Sequence, residues 1–254
     1  MTLDAPSYPK HSAKTGQVEV YRRVQRVTAT WRIIHWVQAL SVVVCFITGL
    51  YIAKPFIQTS SIYSAQPFPL MGWSRALHFY GAMILDTSLI LIAYLYLFSR
   101  SHRDITDLRP TPEHRSAFNE AALNFITFNR RRRFDTTKRD PLLAVMFVLL
   151  HLLLLLQALT GLQLYVANFS DNLSAVGSWW PQFLHIITDW TATVFGGNVG
   201  VRMTHLTTSW LIIAWAVFHI YYEIWRTIMW REGDIGIMFS GSKYVRVRDD
   251  ANGS

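Results

Sequence analysis

Four long apolar stretches, separated by polar segments, dominate the pattern of this chain. They run from Trp31 to Ile52, from Ala76 to Phe98, from Leu142 to Val166 and from His205 to about Ile224. Each stretch is close to the roughly 20 residues with which a helix crosses a hydrocarbon layer of about 30 Å. The pattern therefore predicts an all-α membrane protein, a bundle of four transmembrane helices that forms one domain.

The polar flanks divide the chain into three parts. We expect an amino-terminal arm over residues 1–30, the helix bundle over residues 31–230 and a carboxy-terminal tail over residues 231–254. The arm lacks a hydrophobic centre, so we expect no cleavable signal peptide. The segments from Thr2 to Gln25 and after Asp249 are expected to be disordered or dependent on a partner.

Composition supports the membrane assignment and narrows the chemistry. Hydrophobic residues make up 51% of the chain and charged residues only 16%, with ten Trp and eleven Tyr, which excludes an ordinary soluble domain. Cys45 is the single cysteine and falls inside the first apolar stretch. A disulfide framework or a thiolate-held cluster within the chain is thus excluded, and any iron–sulfur cluster must belong to a partner.

The distribution of Lys and Arg predicts the orientation of the bundle. Of the 24 such residues, six lie in the arm through Arg32, ten between Phe98 and Pro141, and five from Arg226 onward. The other two loops hold only three, namely Lys54, Arg75 and Arg202. Because short loops rich in Lys and Arg stay in the cytoplasm, both termini and the central loop are predicted to be cytoplasmic. The loops Ala53–Arg75 and Ala167–Thr204 would face the other side.

The basic run from Arg130 to Arg133 fits the same topology. We interpret it as an orientation signal beside anionic lipid headgroups, and we expect membrane lipid rather than nucleic acid as the partner of this run. The predicted location is a membrane that borders the cytoplasm.

Four histidines fall on the apolar stretches in a regular arrangement. His205 and His219 are fourteen residues apart, so they share a helix face and are separated by about 21 Å along it. His35 and His78 each open another stretch. The predicted topology then pairs His35 with His219 near the cytoplasmic side and His78 with His205 near the external side.

Two facing imidazoles at each of two depths favour six-coordinate haem b, because the porphyrin leaves two axial positions on its iron. A mononuclear zinc or iron site would need three or four ligands at one depth. A lone intramembrane histidine is more often a hydrogen-bonded packing residue. We assign that role to His151, hydrogen-bonded to a carbonyl or to Asp86, and predict two haems in the core of the bundle.

Arginines and glycines accompany the predicted ligands. Arg32, Arg75 and Arg202 each stand three residues before a histidine, where they could bind haem propionates, although arginines at helix ends commonly extend to the interface. Gly49 follows His35 by fourteen residues and would leave room for the outer macrocycle. The dipeptide Thr48-Gly49 recurs as Thr160-Gly161 on the third stretch. At Gly161, close packing of helices explains the glycine equally well.

The external loop contains a short amphipathic stretch between Trp179 and Trp190. We expect a helix in the membrane interface that shields the outer haem or docks a partner, with a plain aromatic belt as the alternative.

Three segments of the chain resemble a known family, the b-type cytochrome subunit of membrane-bound nickel–iron hydrogenases. The segment RIIHWVQALSVVVCFITG (residues 32–49) is similar to its first signature, and HLTTSWLIIAWAVFH (205–219) to its second. REGDIGIMFSGSKYVR (231–246) resembles its cytoplasmic tail. The resemblance extends from about Val20 to Arg248.

This resemblance implies a di-haem relay between the hydrogenase small subunit and membrane quinone, located in the bacterial cytoplasmic (inner) membrane. Electrons would enter at the His78/His205 haem and pass to the His35/His219 haem, while the hydrogenase large and small subunits, not this chain, react with hydrogen. Two alternatives stay open. One is a subunit of another periplasmic oxidoreductase, of the formate dehydrogenase or thiosulfate reductase type, and the other is a transporter or membrane anchor without cofactor.

Overall fold

The structure is a computed structural model that describes residues 7–11, 18–57, 69–99, 112–128, 141–168, 177, 179–230 and 234–246. The basic run Arg130–Arg133 lies outside the described residues. The described helices are α1 (Ala29–Ala53), α2 (Pro69–Phe98), α3 (Pro112–Ile126), α4 (Pro141–Val166), α5 (Trp179–Phe195), α6 (Gly197–Trp230) and α7 (Ile237–Ser240). A short 3-10 turn, Asp234–Gly236, precedes α7.

Four of these helices are long and apolar enough to cross a membrane. The spans are Ala29–Ala53, Leu70–Phe98, Pro141–Val166 and Gly197–Met229, which belong to α1, α2, α4 and α6. The predicted all-α membrane bundle of four transmembrane helices is thereby confirmed.

Two of the spanning helices begin well before their apolar stretches. α2 begins at Pro69 rather than near Ala76, and α6 begins at Gly197 rather than at His205. The expectation that His78 and His205 open their helices was therefore wrong, since each lies more than two turns inside. Backbone hydrogen bonding continues a helix past the hydrocarbon boundary, and proline is favoured at a first helical position.

A three-stranded antiparallel sheet links the two ends of the chain. Its strands are β1 (Ser7–His11), β2 (Val18–Gln25) and β3 (Ser242–Arg246), in the order β1-β2-β3. The expectation of disorder was wrong for residues 7–11 and 18–25. β2 pairs with a tail strand more than 200 residues away in sequence, and such a partner is invisible to local patterns.

The chain divides into two compact units. The first comprises residues 1–34, 94–147 and 217–254, and the second comprises residues 35–93 and 148–216. Each transmembrane helix contributes residues to both units.

An aromatic cluster organises part of the first unit. Phe125 of α3 makes edge-on contacts with aromatic rings of α6, at centroid distances of 5.2 to 6.0 Å; these rings are Phe218, Tyr221, Tyr222 and Trp225. Tyr222 is fully buried. The loop between α2 and α4 thus carries a helix that packs on the end of the last span.

The tail also folds back within the first unit, onto the beginning of α1. The Gly241 carbonyl accepts hydrogen bonds from the backbone N–H groups of Arg26 and Val27. Arg32 donates from Nη1 to the carbonyl of Phe239. Gly241 has φ 75°, a left-handed conformation that a side chain disfavours.

The second unit has an apolar core formed by three spanning helices. Leu85, Leu154 and Ile212 are buried together, from α2, α4 and α6 respectively. Helix α5 packs with one face buried, at Pro181, Leu184, Thr188 and Thr191. Another face carries exposed apolar side chains at helical spacing, namely Trp179, Phe183, Ile186, Ile187, Trp190 and Val194.

Candidate functional site

His78 of α2 and His205 of α6 face each other in the second unit. Their ring centroids are 6.5 Å apart, and their planes are inclined at 67°. Both side chains are half-buried. The structure therefore brings together the two histidines that were predicted to form the outer pair.

The imidazole of His78 is held by the backbone and side chain of α1. Its Nδ1 is 3.0 Å from Thr48 Oγ1 and 3.0 Å from the Cys45 carbonyl oxygen. The Thr48 hydroxyl lies 2.6 Å from the Val44 carbonyl, to which it donates. Because a carbonyl only accepts, Nδ1 must carry the proton, and Nε2 retains its lone pair.

His205 is held in the same way by α4. Thr160 Oγ1 is 2.9 Å from His205 Nδ1, and the Thr160 hydroxyl donates to the Leu156 carbonyl at 2.7 Å. Gln157 Nε2 lies 3.0 Å from His205 Nε2. Because the Thr160 hydroxyl directs its proton to the Leu156 carbonyl, Nδ1 of His205 is the donor to Thr160, and Nε2 is the acceptor beside the Gln157 amide.

A glycine beside each threonine makes room for the imidazole. A Cβ atom added at Gly49 would lie 3.1 Å from His78 Cε1, and one added at Gly161 would lie 3.1 Å from His205 Cε1. The structure places the ring of His78 beside Gly49, and the expected room for the outer macrocycle there stays a prediction. We call each set of threonine, glycine and facing histidine a Thr-Gly cradle.

The paired histidines present a donor set that fits axial ligation of haem iron. If both rings bound one metal ion, with metal–nitrogen bonds of about 2 Å and each nitrogen about 1 Å from its ring centroid, the two centroids would be about 6 Å apart. The observed separation of 6.5 Å is close to that value. In the part of the chain that the structure describes, no three or more His, Cys, Asp or Glu side chains converge as metal ligands.

The predicted inner pair is divided between the two units. His35 belongs to the second unit, where its ring contacts Trp36 edge-on at 5.4 Å, and His219 belongs to the first. Their pairing stays a prediction. So does the contact between Asp86 and His151, both of which are half-buried.

The three arginines that were predicted to bind propionates have different surroundings. Arg75 and Arg202 are exposed, one turn before His78 and His205. The guanidinium of Arg32 is half-buried and contacts the tail. Two of the three therefore remain accessible beside the His78/His205 pair.

Spacing along α6 places Ile212 of the apolar core midway between His205 and His219, one histidine from each predicted pair. Leu85 follows His78 by seven residues, and Ile212 follows His205 by seven. A further seven residues lead from Ile212 to His219. Seven residues span about 10.5 Å of helix, so the core begins about two turns from the outer pair.

Sequence reasoning missed the residues that hold the two imidazoles. Thr48 and Thr160 were noticed only as neighbours of glycine, Cys45 was considered only as a thiol, and Gln157 was not considered. Cys45 and Gln157 each lie three residues before the corresponding threonine. The repeated Thr-Gly dipeptide was the available signal. It marks equivalent positions on α1 and α4, each facing a histidine of the next spanning helix.

Comparison with known proteins agrees with this geometry. Relatives named "Probable Ni/Fe-hydrogenase B-type cytochrome subunit" include one from Rhizobium leguminosarum bv. viciae, 26% identical over 98% of each chain, and one from Cupriavidus necator, 26% identical over 83% of this chain and 82% of the relative. A "Probable Ni/Fe-hydrogenase 1 B-type cytochrome subunit" from Escherichia coli K12 is 24% identical over 83% and 86%.

The resemblance seen in the sequence is confirmed by these relatives. The family model described as prokaryotic cytochrome b561 matches residues 26–241, which include all four spans and all four predicted ligands. A b-type cytochrome uses haem b, and the facing histidines offer the nitrogen ligands that this group requires. The chain is therefore an integral membrane protein that belongs to the prokaryotic cytochrome b561 family.

Proposed function

We propose that this chain is the di-haem membrane subunit of a nickel–iron hydrogenase and transfers electrons between that enzyme and the quinone pool. The observation that carries the proposal is the facing pair His78 and His205, each of which has Nδ1 bonded to a neighbouring helix and directs Nε2 away from it. Gln157, which donates to His205 Nε2, would have to release that nitrogen when iron binds. Haem b, when bound, supplies an iron that cycles between Fe(III) and Fe(II) by one electron.

Two layers of histidines support two haems. His78 and His205 would be the axial ligands of the outer haem, with Arg75 and Arg202 one turn away as partners of its propionates. His35 and His219 would be the ligands of the inner haem. Helix spacing supports the second layer, since His219 follows His205 by fourteen residues on α6 and shares its face.

The orientation follows from the loops rich in Lys and Arg. Both termini would be cytoplasmic, as would α3, which carries Phe125. The arm (residues 1–30) and the tail (231–254) would flank the bundle (31–230) on that side. α5 would lie in the opposite interface, where its exposed tryptophans favour the lipid headgroup region.

The electron balance of the complex defines the role of this chain. Oxidation of dihydrogen by the partner releases two protons and two electrons, and a quinone takes up two electrons and two protons to become a quinol. The chain would carry these electrons one at a time across the bilayer. It would not react with hydrogen by itself.

The names of the relatives indicate the partners. Proteins called hydrogenase cytochrome subunits support assembly of this chain with the small and large subunits of a hydrogenase. The exposed apolar side chains along the four spans are suited to membrane lipid and to helices of such partners.

The test is to purify the complex and measure haem content, reduced-minus-oxidised spectra and hydrogen-dependent quinone reduction. We expect two b-type haems per chain. His205→Ala should remove the outer haem and His219→Ala the inner one, each abolishing quinone reduction. His151→Ala is the matched control, another intramembrane histidine, and should keep both haems. A chain without a b-type absorption band, or full turnover in His219→Ala, would contradict the proposal.

A further inference from the structure

We propose that Thr48 and Thr160 are positioning residues that lower the reduction potential of the haem held between His78 and His205. Each accepts a hydrogen bond from the Nδ1–H of one axial ligand. The inference rests on the proposed function, because it requires a haem at this pair of histidines.

The two threonines have equivalent geometry. Thr48 Oγ1 is 3.0 Å from His78 Nδ1, and Thr160 Oγ1 is 2.9 Å from His205 Nδ1. Each belongs to the spanning helix that precedes the spanning helix of its histidine, and each is followed by a glycine where an added Cβ would lie 3.1 Å from the same imidazole. The arrangement therefore occurs twice, once for each face of the haem.

Neither threonine has a hydroxyl proton left for the imidazole. The Thr48 hydroxyl lies 2.6 Å from the Val44 carbonyl and 3.3 Å from the Cys45 carbonyl. The Thr160 hydroxyl lies 2.7 Å from the Leu156 carbonyl and 3.1 Å from the Gln157 carbonyl. With its proton directed to its own helix backbone, each Oγ1 can only accept from the histidine.

This one-way hydrogen bond has an electronic consequence. A group that accepts the proton of Nδ1–H fixes the tautomer and increases electron donation from Nε2 to the metal. Greater donation favours Fe(III) over Fe(II). The two threonines therefore shift the equilibrium toward the oxidised form, and their removal should raise the reduction potential of this haem.

Burial keeps water from replacing the hydroxyl groups. Thr160 is fully buried, and Thr48 is 9% exposed. A Thr→Val substitution preserves the branched shape and removes the hydroxyl, which both accepts from the imidazole and donates to a carbonyl of its own helix. The vacated position stays apolar. The Cys45 carbonyl would remain near His78 Nδ1, at 3.0 Å, so Thr48→Val should have the smaller effect.

The experiment is a redox titration of the purified holo-complex, carrying Thr48→Val, Thr160→Val or both, with the ferric EPR spectrum as a second readout. We expect each variant to shift the equilibrium between oxidised and reduced outer haem roughly threefold to tenfold toward the reduced form. The reduction potential of this haem should rise accordingly, and a tenfold shift corresponds to about 59 mV for one electron. The EPR g-values of that haem should change, while the inner haem keeps its potential.

Two further sets of variants separate this role from packing. Thr191→Val is the control, because Thr191 is fully buried on α5 and its hydroxyl bonds to the carbonyl of Thr188. It should leave both potentials unchanged. Thr48→Ser and Thr160→Ser retain an acceptor and should have the wild-type potential. Where a valine variant loses its haem, the serine variant at the same position should keep it.

The outcomes distinguish this inference from the proposed function. If the valine variants keep both haems at wild-type potentials, or the serine variants fail to restore a shifted potential or a lost haem, the inference is overturned while the relay survives. If the wild-type complex contains no haem at His78 and His205, the proposed function itself fails.

Discussion

Replacement of Gly49 by alanine tests the close packing of α1 against His78 of α2. The added Cβ would lie 3.1 Å from His78 Cε1. Optimal carbon–carbon contacts begin at about 3.5 Å, so the ring must retreat by about 0.4 Å. We expect this displacement to weaken haem binding at the outer site.

The ring cannot retreat without cost, because it is tethered to the same helix. Its Nδ1 is 3.0 Å from both Thr48 Oγ1 and the Cys45 carbonyl. A shift of about 0.4 Å away from α1 would lengthen both hydrogen bonds to about 3.4 Å, beyond the usual range. Weakening two such bonds costs about 1–3 kcal/mol. Displaced ligands of this kind lower metal affinity roughly tenfold to a hundredfold.

The assay is haem content per chain after purification, followed by titration with haem. Wild-type protein should hold two haems and Gly49→Ala about one, with the inner haem as an internal reference. Gly72→Ala on α2 is the control, since a Cβ there meets no atom within 4 Å. Two tightly bound haems in Gly49→Ala, with an unaltered ferric EPR spectrum, would refute the reasoning.

Two other predictions concern stability, measured by thermal unfolding in detergent. Gly241→Ala should destabilise the tail by about 1–2 kcal/mol, because the left-handed φ of 75° disfavours a side chain. The new Cβ would also lie 2.8 Å from a backbone carbonyl oxygen. Gly236→Ala is the control and should be neutral, since a Cβ there meets no atom within 4 Å. Thr188→Val should cost about 1–3 kcal/mol, since it removes the 2.7 Å hydrogen bond to buried Gln163 Oε1, while Thr191→Val should cost less. Equal melting temperatures within either pair of variants would contradict the corresponding prediction.

The membrane architecture was readable from the sequence because hydrocarbon thickness imposes a simple length rule. Four apolar stretches predicted four spans, and each was found. The helix ends were not readable, since a helix continues into the interface, where apolar composition is no longer required. That is why His78 and His205 lie deeper in their helices than expected.

The sheet illustrates a different limit. β2 pairs with β3, and Gln25 lies opposite Ser242. Strand pairing across so many residues depends on where the intervening spans bring the chain ends. Local composition near Gln25 contains no information about that partner, so the arm was expected to be disordered.

The facing of His78 and His205 could be predicted from the sequence, but not the contacts that hold the two rings. Helix spacing, together with the topology predicted from Lys and Arg, paired these histidines, and their role as haem ligands stays a prediction. The hydrogen bonds from Nδ1 depend on which face of α1 and α4 meets each ring, and a single sequence does not specify this. The repeated Thr-Gly dipeptide was visible, but its meaning required the positions of the histidines.

The two Thr-Gly cradles also allow a test of which histidines share a haem. A Cβ added at Gly161 would lie 3.1 Å from His205 Cε1, the same distance as from a Cβ added at Gly49 to His78 Cε1, so Gly161→Ala should reproduce the effect of Gly49→Ala. If both histidines bind one iron, either substitution weakens the same haem, and the double variant still retains the inner haem. If they belonged to different haems, the two losses would add, and the double variant would hold none. Haem content of the two single variants and the double variant therefore tests the ligand pairing directly, and a haem-free double variant would disprove it.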